Sequence, residues 1–186
     1  MSTLDPDTGL GLPDTDPTWL APTEIELIRG RVPMVYVEAV PVRVDDRGEV
    51  QQIGLLLRGQ PDGTISRAIV SGRVLYGETI RAALARHLAK DLGPSARPLL
   101  PPQPTPFTVV EYFPDPSRTG FHDPRQHAVS LCYIVPILGE CVPAQAFIDL
   151  AWVTPDEAVS LAARSEMSDG LDRLVRRALA YVGRVL

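Results

Sequence analysis

The chain has 186 residues, of which 45% are hydrophobic, and a formal net charge of -5. This length suits one domain with a sizeable core. Affinity for a phosphate backbone comes mostly from Lys and Arg, so the acidic balance argues against a nucleic acid polymer as partner. The two cysteines, Cys132 and Cys141, have neither the number nor the spacing of a zinc site or a disulfide framework.

The N-terminal segment differs in composition from the rest. Residues 1–18 are acidic and rich in proline and glycine, which predicts a disordered tail before a folded domain over residues 19–186. The segment lacks the positive and apolar regions of a signal peptide. No apolar run in the chain reaches membrane-spanning length. We therefore expect a cytoplasmic protein with no membrane contact.

The pattern that follows predicts a helix and then a β-hairpin. The predicted elements are one helix over residues 22–31 and three strands over residues 34–44, 50–58 and 66–74. Gly48 supplies the positive φ that the tight turn of the hairpin requires. Gly72 is predicted to break the third strand.

The central helix is the clearest element of the sequence. Residues 79–92 place four aliphatic side chains four positions apart on one face. Gly93 and Pro94 are a strong signal for the end of the helix. The six prolines of residues 94–106 then predict an extended loop.

The C-terminal half alternates strands with loops and ends in helices. The predicted elements are strands over residues 107–113, 127–138 and 147–153, a polar loop over residues 114–126, and a last helix over residues 169–185. Thr154 opens a capping box with Pro155 at the first helical position, which predicts a short helix there. This order of elements favours an α/β or α+β sandwich.

Residues 72–93 carry the most informative motif. Gly72, Glu78, Arg86 and Gly93 stand where the Nudix box has its first glycine, a glutamate, an arginine and the closing glycine. The chain therefore resembles the Nudix hydrolases. The resemblance implies an α/β fold, a Nudix-type α/β/α sandwich with a mixed β-sheet. It also implies a small-molecule ligand that contains a nucleoside diphosphate.

The metal-binding part of this motif is depleted. In the Nudix box, carboxylates one helical turn apart share a divalent metal that activates the hydrolysis of a diphosphate. Here His87 and Lys90 stand at two of the glutamate positions, and Asp91 alone keeps a carboxylate. Magnesium prefers oxygen ligands, and one carboxylate is a weak site. We therefore expect Mg²⁺ binding to be weak or absent.

The start of the domain resembles GDP-mannose mannosyl hydrolases, with Arg29 and Arg31 before the first strand and a similarly depleted box. That resemblance implies that Asp91 and the Gly72 carbonyl are the remaining metal ligands, that Glu38 lies near a sugar, and that Arg58 contacts phosphate. The general-base histidine of those enzymes falls near Phe147 here. Their glutamine ligand falls at Ala146 or Gln145.

Each candidate catalytic residue also has a structural alternative. Glu78 and Arg86 can fix the loop against the helix, and His87 can belong to a polar network. His122, in a loop able to fold over a ligand, is the spare candidate for a base. Lys90 can supply the positive charge that the lost metal would otherwise present to the phosphate.

Three functions stay open at the level of sequence. The first is a divergent hydrolase of a nucleoside diphosphate linked to another moiety, such as a nucleotide sugar, with weak or altered metal chemistry. The second is a catalytically inactive module that binds a nucleotide-type ligand. The third is a domain that binds a protein partner. By analogy with similar proteins, residues 22–31 can form a homodimer interface.

Overall fold

The computed structural model describes residues 20–60, 63–143, 149–160 and 166–183. The predicted tail and the segment from Gln145 to Phe147 therefore lie outside the described residues. The helices are α1 (Pro22–Arg29), α2 (Ile80–Leu92), α3 (Pro155–Val159) and α4 (Leu171–Tyr181). The strands are β1 (Met34–Val44), β2 (Val50–Gly59), β3 (Ile65–Ala68), β4 (Val70–Arg73), β5 (Arg97–Pro98), β6 (Thr108–Tyr112), β7 (Ala128–Leu138) and β8 (Asp149–Val153).

Strand β1 lies at the centre of a mixed sheet. It pairs antiparallel with β2 and β4 and parallel with β7. The main path of the sheet runs β3-β2-β1-β7-β5, while β4, β6 and β8 pair with β1, β7 and β2. The mixed sheet predicted from the sequence is confirmed.

Alternation along β1 gives the domain a hydrophobic core on each face of the sheet. Val40 and Val42 pack in a cluster with side chains of α4. Val37 and Ala39 belong to a second cluster with side chains of α2. Since successive side chains of a strand point to opposite faces, helices cover both sides, and the predicted α/β/α sandwich is confirmed.

Helix α2 forms as its sequence predicts. The Thr79 side chain accepts a hydrogen bond from the Ala82 N–H at 3.2 Å and caps the first turn. Leu84, Leu88 and Leu92 are fully buried. Gly93 ends the helix with a φ of 86°, where a Cβ would also lie 2.4 Å from the Val142 carbonyl oxygen.

The strand predicted over residues 66–74 is two strands, and the break falls at Ile69 instead of Gly72. β3 pairs with β2, whereas β4 pairs with β1. The chain changes partner between them, which is a tertiary feature that periodicity does not show. Helix α1 ends at Arg29, two residues before the predicted end. In the part of the chain described above, no helix combines the length and apolar character needed to cross a membrane.

Candidate functional site

A cavity of about 400 Å³ opens beside the central strands. Its wall is built from strands β1 to β4, β6 and β7, the loop over residues 114–126, and residues 168–171 at the start of α4. The lining includes the polar side chains of Tyr36, Glu38, Arg58, Gln60, Ser66, Arg67, Ser71, Tyr112, His122, Asp123, Arg125, Gln126, Ser168 and Asp169. Of the residues predicted from the sequence, Glu38, Arg58 and His122 line this cavity.

Glu38 lines the cavity and is only 8% exposed. The Tyr112 hydroxyl donates to its two carboxyl oxygens at 2.9 and 3.1 Å. The Cys132 thiol donates to Oε2 at 3.4 Å. Burial raises the pKa of Glu38 although these donors act against the rise. The carboxyl group is therefore held rigidly, and its protonated form is favoured more than in water.

Asp91 lies behind Ser71 and is 3% exposed. Burial raises its pKa to about 6, although the charges of Lys90 and Arg58 and a hydrogen bond from the Ser71 backbone act in the opposite direction. The Ser71 side chain also acts to lower the pKa of Glu38. Asp91 itself does not line the cavity.

Glu78 and Arg86 form a clamp away from the cavity. Arg86 donates to both carboxyl oxygens of Glu78 at 2.8 Å. Arg86 Nη2 also donates to the Arg73 carbonyl at 2.9 Å, and Glu78 Oε2 accepts from the Leu75 N–H at 3.0 Å. These contacts tie the loop after β4 to helix α2. The geometry matches the structural alternative for this pair.

We expect Arg86→Met to lower the free energy of unfolding by about 2 kcal/mol, because a half-buried carboxylate and a carbonyl lose charged donors. Chemical denaturation checks this value. Arg81→Met on the exposed face of the same helix is the matched control, with an expected change below about 0.5 kcal/mol. Equal losses in the two variants would contradict the clamp.

His87 occupies the space next to Gly72. Its ring is 2% exposed, and Nε2 lies 3.0 Å from the Arg73 carbonyl oxygen. A carbonyl only accepts, so Nε2 carries the proton of this hydrogen bond. His87 does not line the cavity, and neither does its neighbour on the helix, Lys90. The histidine is part of a polar network behind β4.

His122 lies in the cavity wall. Its Nδ1 is 3.5 Å from Asp169 Oδ1, and its side chain is 30% exposed. Arg125 lines the same wall and pairs with Asp123, with Nε 3.1 Å from Oδ1. Arg67 lines the wall from β3 and pairs with Glu166. The cavity therefore combines three arginines, Arg58 included, with paired acidic groups.

Sequence reasoning missed Tyr36, Gln60, Arg67 and Gln126 as cavity residues. Tyr36 and Gln126 contact each other, with Gln126 Nε2 donating to the Tyr36 hydroxyl at 2.9 Å. These two residues are far apart in the chain. No local pattern distinguishes them from other polar residues in a strand and a loop.

The residues near Asp91 do not fit a divalent metal. Among the described residues, no group of three or more His, Cys, Asp or Glu side chains is placed to hold one. The charged groups that act on Asp91 are the cations of Lys90 and Arg58. Magnesium requires several oxygen ligands, and this surrounding offers one buried carboxyl group.

The mixed sheet between helical layers, with the Glu78–Arg86 clamp between the loop after β4 and helix α2, defines a Nudix-fold protein. Within that fold the chain belongs to the family described as a domain of unknown function, DUF4916, whose model matches residues 15–184. No curated protein matches the chain.

The solved structures that are similar to this chain include the following three. A possible asymmetric diadenosine tetraphosphate hydrolase from Jonesia denitrificans is 54% identical, with a TM-score of 0.81 over 84% of this chain and 98% of that one. A NUDIX hydrolase from Nitrosomonas europaea is 16% identical, with a TM-score of 0.58 over 80% and 90%. The NUDIX domain of Shewanella oneidensis NrtR, in complex with ADP ribose, is 16% identical, with a TM-score of 0.54 over 81% and 88%.

Proposed function

We propose that this protein is a Nudix-fold module that binds a nucleoside diphosphate derivative, with arginines in place of a metal cluster. The observation that carries the proposal is the cavity lining. Arg58, Arg67 and Arg125 line it, whereas Lys90 and Asp91 of the degenerate box do not. Guanidinium groups bind phosphate oxygens through paired hydrogen bonds and need no metal to do so.

The ligand class follows from the size and chemistry of the cavity. A volume of about 400 Å³ is within the range of small-ligand pockets. The cations suit a diphosphate, while Tyr36 and Glu38 offer hydrogen-bonding groups to the attached moiety, a nucleoside or a sugar. The similar protein named as a possible diadenosine tetraphosphate hydrolase and the NUDIX domain in complex with ADP ribose support a ligand that joins nucleoside and phosphate.

A second candidate function is hydrolysis of the same class of ligand. One observation favours it: His122 lies in the cavity wall with Asp169 beside Nδ1. A carboxylate next to an imidazole orients the ring and favours its protonation during general-base catalysis. The similar protein from Jonesia denitrificans is also named as a possible hydrolase. In this function His122 replaces the base that the family resemblance places near Phe147.

Calorimetric titration separates the two functions. The probes are ADP, ADP-ribose, GDP-mannose and diadenosine tetraphosphate, each with Mg²⁺ and with EDTA. We expect binding that persists in EDTA, and a loss of about tenfold in Arg58→Met, because a hydrogen bond to a charged group is removed. Arg47→Met, in the exposed turn between β1 and β2, is the matched control and should leave the affinity unchanged.

Two other results of the titration would contradict the binding module. Binding that requires Mg²⁺, together with product formation that His122→Gln abolishes, would replace the binding module with the hydrolase. Absence of binding for all four probes under both conditions would refute both functions at this cavity.

A further inference from the structure

A chain of buried hydrogen bonds runs from helix α1 to the cavity. Arg29 is 5% exposed, although it is an arginine on the first helix. Its Nε donates to Gln126 Oε1 at 3.1 Å. Gln126 is 2% exposed, and its Nε2 donates to the Tyr36 hydroxyl at 2.9 Å and to Asp123 Oδ2 at 2.8 Å. Asp123 in turn pairs with Arg125.

Arg29 and Asp123 together fix which way the Gln126 amide faces. An arginine side chain has five N–H donors and no acceptor, so the amide oxygen must face it. The amide nitrogen then faces Tyr36 and Asp123, and both of its hydrogens are used. With the amide reversed, two donors would face each other at Arg29, and Asp123 would meet an oxygen. Arg29 therefore supplies one of the two contacts that set the direction of this chain of hydrogen bonds, and Asp123 supplies the other.

Asp123 receives donors from two directions. Arg125 donates to it through its backbone N–H at 2.9 Å and through Nε and Nη2 at 3.1 and 3.2 Å. These hydrogen bonds and the contact from Gln126 lower the pKa of Asp123 against the opposing effect of burial. The carboxylate stays charged and holds the guanidinium of Arg125 in a fork geometry.

We propose that Arg29 is a positioning residue for the ligand, acting through Gln126 to orient Tyr36 and the Asp123–Arg125 pair on one wall of the cavity. The ligand contact rests on the proposed function, whereas the orientation of the wall does not. Arg29 does not line the cavity. Its effect on binding is the preorganisation of groups that do, which lowers the entropy lost when a ligand is bound.

The first test needs no ligand. The heteronuclear NOE of the Arg125 Nε–H group reports the mobility of that guanidinium on the fast timescale. We expect the NOE of a rigid group in the wild-type protein and the lower NOE of a mobile group in Arg29→Met. Arg31→Met, the same change at an exposed arginine just after α1, is the matched control and should leave the signal rigid.

A second variant tests the same contact while α1 keeps its hydrogen bond to residue 126, so that a loss of folding is not mistaken for the effect. Gln126→Glu can still accept from Arg29, so α1 keeps its anchor, but a carboxylate cannot donate to Tyr36 or Asp123. We expect it to release Arg125 as Arg29→Met does. Gln126→Glu and Arg29→Met should each weaken ADP binding about tenfold. In an Arg125→Met background, the further loss caused by Arg29→Met should shrink.

The outcomes distinguish this inference from the proposed function. An Arg125 signal that stays rigid in both variants overturns the positioning role, whatever ADP does. A mobile signal with unchanged ADP affinity overturns the role in ligand binding. A mobile signal in a protein that binds no nucleotide refutes the proposed function and leaves the orientation of the wall by Arg29 established.

Discussion

Gly72→Ala is expected to lower the free energy of unfolding by about 3 kcal/mol, a large loss from adding one methyl group to a filled core. A Cβ built on Gly72 lies 1.8 Å from Cε1 of His87 and 2.2 Å from both ring nitrogens. The ring is buried and hydrogen-bonded to the Arg73 carbonyl, so it has little room to move. The backbone of Gly72 is not at positive φ, and the cost is therefore steric.

Chemical denaturation of a double variant tests this cause. Adding His87→Ala to Gly72→Ala removes the clashing ring and should recover part of the lost stability, whereas His87→Ala alone should destabilise the protein. Gly30→Ala is the control, because the nearest atom to its Cβ lies 3.8 Å away. If Gly72→Ala has the same denaturation midpoint as the wild-type protein, the His87 ring does not pack against Gly72 as described.

Asp91→Asn is expected to stabilise the protein by about 3 kcal/mol above about pH 7. The figure comes from the difference between the ordinary pKa of 3.8 and a value of about 6 in the folded state, at about 1.4 kcal/mol per tenfold change in equilibrium. An acid whose pKa is raised by folding binds protons more tightly in the folded state. Its contribution therefore turns unfavourable as the pH rises from the lower value to the higher one.

Chemical denaturation at two pH values shows directly whether the ionised Asp91 carboxylate stabilises or destabilises the fold. The advantage of Asp91→Asn over the wild-type protein should widen by about 2 kcal/mol between about pH 4.5 and pH 8. Asp46→Asn, in the exposed turn between β1 and β2, should show no such change. A wild-type protein as stable as Asp91→Asn at the higher pH would contradict the cost of this buried charge.

Comparison of the wild-type protein with Asp91→Asn also tests whether Asp91 binds a metal ion. A cation held by Asp91 would favour the ionised carboxylate and stabilise the wild-type protein by mass action. If Mg²⁺ raises the stability of the wild-type protein and not of Asp91→Asn, the binding module proposed here gives way to metal-dependent chemistry. We expect the same response to Mg²⁺ in both proteins.

Local patterns predicted much of the fold. The stripe of Leu84, Leu88 and Leu92 defined helix α2, and Gly93 defined its end, because periodicity and glycine conformation act within a few residues. The valine-rich and apolar runs and the turn at Gly48 defined the β1–β2 hairpin for the same reason. The predicted break at Gly72 was wrong, because the chain changes strand partners at Ile69 and partners are chosen across the sheet.

The sequence by itself determined the α/β class and the likeness to the Nudix proteins, and it predicts that His87 and Lys90 stand at two glutamate positions of the box. Tertiary structure alone decided which polar side chains share the cavity. Arg29, Gln126 and Tyr36 come together from α1, a loop and β1, and their contact depends on how these elements pack. Burial of Asp91 and of the His87 ring also depends on packing, since the exposure of a side chain is set by neighbours distant in the chain.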